Sequence, residues 1–166
     1  MSKRLLIASL LFLAVGCSQE EPEKSTTVCT FNDADSGITI DQKIKLTAGD
    51  DELYTIEDSE SFTFESVERY QSDIDARVED YKEKKKCGEK VGDKCSESVS
   101  FDWELKDNVL SSTTTIDITK AIENEEKISV FDEMPKDDEY ISLKQTIKSL
   151  KDQGYTCEDT KKEKAK

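Results

Sequence analysis

An α+β fold, with an antiparallel β-sheet of about five strands and two main helices packed on one of its faces, is the architecture this sequence predicts. Three observations carry it: runs in which apolar and polar residues alternate, two apolar stripes at helical spacing, and the order of those patterns along the chain. Alternation at a period of two marks a half-buried strand, and steps of three and four mark one face of a helix. Strands that come in groups, with helices between the groups, favour an antiparallel sheet over a parallel one.

The first strand places Cys29 and Phe31 on one face, and residues 33–37 supply turn chemistry. Ile38, Ile40, Ile44 and Leu46 then alternate, with Gln42 the single break. After the turn Gly49-Asp50-Asp51, residues 53–64 are rich in Tyr, Thr, Ile and Phe, types that suit a pleated surface. Val67, Tyr70, Ile74, Val78 and Tyr81 step by 3, 4, 4 and 3, the stripe of a first helix. Ser66 is placed to cap it, and Lys82, Lys84, Lys85 and Lys86 crowd the end where the helix dipole favours cations. Val99, Phe101, Trp103 and Leu105 alternate, Asp107-Asn108 tolerates a tight turn, and Leu110, Ser112, Thr114, Ile116 and Ile118 resume the pattern. These two strands are expected to pair as a hairpin. Between Lys120 and Asp137 the pattern weakens to a helical turn and a short strand over 128–131, ahead of Met134-Pro135. Leu143, Ile147 and Leu150, continued upstream by Tyr140, make the second stripe. Ser142 and Gln145 read as its capping box, and Gly154 as its C′ residue.

Ahead of this domain, Lys3 and Arg4 precede a predominantly apolar run of 11 residues over 5–15. A membrane-spanning helix needs about 20, whereas a signal peptide needs a run of this length. The run ends in Leu13-Ala14-Val15-Gly16-Cys17, which resembles the lipobox of bacterial lipoproteins, although Ala14 stands where leucine is more usual. The expected division is a signal peptide over 1–16, a lipidated Cys17 with a polar tether to residue 25, one α+β domain over 26–157, and a charged disordered tail over 158–166. Two acyl chains on Cys17, at ~0.8 kcal/mol per buried CH₂, would anchor the domain stably to a membrane.

Without the signal segment the chain carries 22 basic and 38 acidic residues, a net charge of −16 over 150 residues. Its 29 Leu, Ile, Val and Phe amount to about 19%, close to a disordered composition. All 29 fall within 26–157 and at periodic positions, so the domain reads as folded but sparing in core. Such acidity argues against a nucleic-acid partner, because phosphate contacts need clustered Lys and Arg. The absence of histidine removes Ser-His and Cys-His nucleophiles, His-zinc sites and haem-His sites. Neither a G-x-S-x-G elbow nor a P-loop occurs.

Cys29, Cys87, Cys95 and Cys157 form an even set, which in an exported chain reads as two disulfides with three possible connectivities. Cys87 and Cys95 flank a short loop containing Gly88 and Gly92, and pairing them leaves Cys29 with Cys157. Chain-entropy arguments give roughly 2.6 kcal/mol for the small loop and about 5 kcal/mol for the large one. The spacing lacks the C-x₂-C knuckle of a zinc site and any C-x-x-C redox motif.

The acids at Asp33/Asp35, at Asp50-Asp51-Glu52, at Asp132-Glu133 and at Asp137-Asp138-Glu139 offer hard oxygens of the kind that hold Ca²⁺, but not at EF-hand spacing. They are expected to be solvated turn acids. Trp103, a possible sugar platform, and the Tyr70 and Tyr81 stripe are expected in the core.

With these elements placed, the chain resembles the YehR-like family of small bacterial lipoproteins, whose function is not established. The resemblance lies in the lipobox, Cys29-Thr30-Phe31, the helix ending in Tyr81-Lys82, the Lys106-Asp107-Asn108 hairpin, and above all YISLKQTIKSLKDQGYTC over 140–157. It implies an α+β domain and a bond between the domain's first and last cysteines; the Cys87–Cys95 loop departs from it.

The reading that follows is a lipid-anchored extracytoplasmic lipoprotein of the cell envelope: a binding or interaction module without catalytic residues, cofactor or metal. Its partners would be the membrane, through Cys17, and an unidentified envelope protein or small ligand, met at a pocket or apolar patch between sheet and helices. The alternatives are an envelope hydrolase or carbohydrate-active enzyme using a carboxylate pair, and a Ca²⁺-dependent adhesion module.

Overall fold

The computed structural model describes residues 23–128 and 140–163. Three long strands, β1 (Lys24–Asp35), β2 (Ile38–Gly49) and β3 (Glu52–Phe64), form a meander and lead into the helix α1 (Val67–Lys86). A two-residue hairpin, β4 (Lys90–Val91) and β5 (Lys94–Cys95), precedes β6 (Val99–Lys106) and β7 (Val109–Asp117). The short helix α2 (Ile118–Glu123) follows at once; after the segment outside the described residues come α3 (Leu143–Asp152) and β8 (Thr156–Glu163). The main sheet has six antiparallel strands in the order β6-β7-β3-β2-β1-β8. The fold is α+β, with its helices on one face of the sheet, as the periodicities predict. Among the described residues, no helix is long and apolar enough to cross a membrane.

Local chemistry explains the turns and helix ends. Ser36 and Gly37 both take positive φ, 51° and 83°, the geometry of a two-residue hairpin turn whose twist matches the strands. A side chain at Gly37 would also meet the Glu65 carboxylate at 2.7 Å. The Tyr70 hydroxyl donates to the Ser36 carbonyl, tying this turn to α1. Asp107 takes φ 55° in the β6–β7 turn, and the Asn108 amide donates to the Phe64 carbonyl at 2.8 Å. The Ser66 hydroxyl caps α1 by accepting from the Arg69 N–H, and Ser142 does the same for α3 from Gln145. Gly154, at φ 97°, ends α3 as a C′ residue.

The sheet buries one face in two separate cores. In the first, Leu46, Ile56, Val99 and Ile116 pack under α2 and α3 through Ile118, Ala121 and Leu143. In the second, Phe62, Phe64 and Leu110 pack under α1 through Tyr70, Ile74 and Tyr81. Trp103 joins the second core, with its ring centroid 6.2 Å from that of Tyr81. Trp103 and both stripe tyrosines are therefore packing residues, as their spacing implies.

Three boundaries differ from the sequence reading. The sheet has six strands rather than about five, because 156–163 is a strand and not a disordered tail after Cys157. Those residues carry no large apolar side chain, so periodicity could not reveal them. Their ladder to β1 is made of backbone hydrogen bonds, and a highly charged strand suits a sheet edge, where charge discourages pairing with other chains. At the front, Lys24 and Ser25 belong to β1 rather than to the tether. Between β7 and α3, the helical turn expected after Lys120 begins earlier, at Ile118, where Asp117 caps it by accepting from the Lys120 N–H at 2.9 Å. The signal segment, Cys17, the tether as far as residue 22, the strand expected over 128–131 beyond Ile128, and the acids at 132–133 and 137–139 lie outside the described residues.

Candidate binding groove

Both cysteine pairs are bonded as the spacing predicts. Cys29 and Cys157 face each other across β1 and β8 with Cα atoms 3.9 Å apart. Cys87 and Cys95, with Cα atoms 5.1 Å apart, close the loop that follows α1. That loop lies directly on β6: a Cβ at Gly88 would run into the Val99 carbonyl, so only glycine lets the two backbones approach this closely. The first pair staples the sheet edge, and the second fixes the loop at the lip of a groove.

That groove arises from the separation of the two cores. Across the covered face, the ladder aligns Leu46, Ile56, Ile116 and Val99 in one apolar row under α3, and Ile40, Phe62 and Leu110 in another under α1. Two mixed rows lie between them: Ile44, Asp58, Thr114 and Phe101, then Gln42, Glu60, Ser112 and Trp103. Through Tyr81, α1 covers their Phe101, Ser112 and Trp103 end, while Ile44, Asp58, Gln42 and Glu60 stay only half-buried. A cavity of about 500 Å³ opens over Asp58, walled by Ile44, Val99 and Phe101 from the sheet, by Lys84, Gly88 and Glu89 from the α1 side, and by Thr146, Ser149, Leu150, Gln153 and Tyr155 from the α3 side.

The polar groups of the groove form a directed chain. The Tyr155 hydroxyl donates to Gln42 Oε1 at 2.6 Å, and Gln42 Nε2 donates to both Asp58 oxygens at 3.0 Å. Desolvation by burial pushes the Asp58 carboxyl above its ordinary value, and the Gln42 hydrogen bond opposes this only in part. Glu60 stands two residues further along the same strand face, about 7 Å away by strand geometry. Burial raises its carboxyl as well, and the Asp58 charge adds to the effect, while Arg77 and Lys84 pull it back. Tyr155 is raised by the same burial and by the two acids facing it. The α1 cations have other engagements. Lys84 pairs with Asp80 at 3.0 Å, and the Arg77 guanidinium lies 4.0 Å above the Phe62 ring.

The acid clusters singled out in the sequence do not form this site. Asp33 and Asp35 are exposed at the end of β1. Asp51 holds the start of α3, accepting from the Lys144 N–H and from the Ser142 hydroxyl, both at 2.9 Å. Among the described residues, no three carboxylate or cysteine side chains converge as metal ligands would. Composition does not single out Asp58 and Glu60, because acids are so numerous. Their signal is phase: both fall at even positions of β3, in step with Ile56, Phe62 and Phe64, where a core side chain is due. The break at Gln42 was the same signal, on the neighbouring strand.

No family model matches the chain, and no curated protein matches it. A solved structure, an NMR structure of a protein from Streptococcus pneumoniae TIGR4, is similar to it with a TM-score of 0.47 at 14% sequence identity, covering 95% of this chain and 97% of that one.

Proposed function

We propose that this protein is a lipid-anchored module of the bacterial cell envelope, of the YehR-like kind, that binds a ligand in the groove between α1 and α3 without transforming it. The observation that carries the groove is the mixed belt of Gln42, Asp58 and Glu60 on a sheet face otherwise given over to core. Two half-buried acids on a core-facing strand, of which Asp58 forms no ion pair among the described residues, cost stability, and sites that keep such a conflict are commonly sites of function. The anchor rests on the sequence of residues 1–17, and family membership on the motifs quoted above.

The competing catalytic reading also has an observation in its favour, since two carboxyls on one face of one strand are the kind of pair that glycoside hydrolysis uses. Such enzymes, however, drive the two acidities apart, so that one group is protonated while the other is ionised. Here both are shifted upward, and chiefly by the same cause. Hydrolysis of a chromogenic glycoside that disappears in both Asp58→Asn and Glu60→Gln would reinstate the enzyme.

Two experiments test the proposal. The full chain is expected to partition into the detergent phase, and Cys17→Ser to move it to the aqueous phase; partitioning that survives the substitution removes the anchor. For the groove, the sign of a stability change decides. A carboxyl raised in the folded state binds its proton more tightly there than in the unfolded chain. Ionised Asp58 therefore destabilises the fold above its raised value, and the cost fades as pH falls towards the ordinary 3.8. Asp58→Asn should gain on the order of 1 kcal/mol at pH 7, with the gain shrinking at pH 4, as read by urea unfolding. A variant less stable than the parent at pH 7 would make Asp58 a structural residue and undo the functional reading of the groove.

A further inference from the structure

We infer that the ligand of this groove is an amphipathic amine: a protonated ammonium seated against Asp58, carried on an apolar body that lies along Ile44, Val99, Phe101 and Leu150. The inference rests on the groove being a binding site and adds the class of molecule that fits it.

Three features converge on this chemistry. The first is hydrogen-bond polarity. Tyr155 donates to Gln42, and Gln42 donates to Asp58, so every protein donor in the chain is already directed inward. Each carboxylate oxygen still has a free lone-pair direction. What completes the site is a donor, and an ammonium brings three. The second is charge. Asp58 forms no ion pair among the described residues, and its polar partner there is the neutral Gln42 amide. The cations of the α1 side act on Glu60 instead, and one of them, Lys84, is also paired with Asp80. Lys84 is the one cation among the residues that line the cavity, and its ammonium is held by Asp80, so the Asp58 carboxylate favours a cation over an anion there. The third is shape. The remaining walls are mostly aliphatic or aromatic, and about 500 Å³ is room for a body well beyond a bare ion. An inorganic cation would leave those walls facing water, and an uncharged lipid would leave the Asp58 charge uncompensated.

Octylamine, octanol and octanoate have the same chain length and differ in their head groups, so they separate these contributions. Titrated into the purified protein near neutral pH, octylamine should shift the amide resonances of Phe101, Leu150 and Tyr155. Calorimetry should give it an affinity at least about tenfold above octanol, the usual worth of a hydrogen bond to a charged group. Octanoate should bind more weakly still. Asp58→Asn should cost octylamine about tenfold and leave octanol nearly unchanged. Ser149→Trp, which fills the groove from α3, should abolish binding of all three while resonances of the Phe64–Tyr70 core stay in place. If octanol or octanoate binds as tightly as octylamine, or if Asp58→Asn has no effect on octylamine, the amine assignment is overturned and the groove remains a binding site of another kind. If none of the three moves a groove resonance, the groove reading falls together with the amine.

Discussion

Alanine at both Cys29 and Cys157 is expected to remove about 5 kcal/mol of stability, the chain-entropy value for a loop of this length. The bond spans 128 residues, almost the whole described domain. Cross-linking so long a segment restricts the unfolded chain more than a short loop does, and a single domain has only about 5–15 kcal/mol in total. The loss should therefore bring the domain close to unfolding at ambient temperature. Cys29 is fully buried in the first core, so the truncation also removes a contact there. Alanine at Cys87 and Cys95, whose bond spans 8 residues, should cost roughly 2.6 kcal/mol. Urea denaturation of the two double variants measures the ordering directly. A larger loss from the short loop would contradict it, and would mean that the groove lip matters more to the fold than the sheet edge does.

The second large effect concerns the division of the core. Phe64 and Leu46 are both fully buried, one in each cluster. Phe64→Ala should cost 3–5 kcal/mol and Leu46→Ala 2–5, the ranges for truncating well-packed side chains. Phe64 packs against the Tyr70 ring, 5.9 Å between centroids, so its loss should loosen the seat of α1 first. If the mixed belt truly separates the cores, the two losses should add to within about 0.5 kcal/mol in the double variant, as they do for residues with no shared partners. A coupling well above that would mean that the cores communicate beneath the groove. The double variant needs a stabilising background to stay folded, and the cycle should be measured there.

Much of this fold was legible in the chain because its elements announce themselves by independent signals. The 3, 4, 4, 3 spacing from Val67 to Tyr81 coincides with a capping serine, and Asp107-Asn108 falls between two alternating runs. The short-loop disulfide follows from spacing, because eight residues hold the two cysteines within reach whatever the fold does. What escaped was decided by backbone pairing or by phase. The strand Thr156–Glu163 has Cys157 as its single apolar residue, too few to register a period, and its existence depends on an open edge of β1, which only the assembled sheet supplies. The site escaped for a different reason. Asp58 and Glu60 are two acids among 38, and composition cannot tell a carboxylate that faces solvent from one that faces a core. The distinction needs the register of β3 against β2 and β7, which places Asp58 between Ile44 and Thr114 and Glu60 between Gln42 and Ser112. A buried acid is visible in a sequence only once its strand's phase has been assigned, and the bulge near Thr47 and Ala48 shifts that phase by one within β3 itself.

The position of β1 also decides how the domain meets mechanical force. Lys24 is paired with Gly49 on one side and with Glu163 on the other, so the strand enters the sheet flanked by two ladders. Tension applied through the preceding residues runs along the strand axis, while antiparallel hydrogen bonds lie across it. Many bonds are thus strained together in shear, rather than one after another as in peeling. Five residues in, the Cys29–Cys157 bond halts any withdrawal of the strand. Gln42 and Asp58 sit on the next two strands, β2 and β3, beyond that stop. A pull on the amino end is therefore shared between the two ladders of β1 and the disulfide to β8 before it reaches the strand pair that carries Gln42 and Asp58.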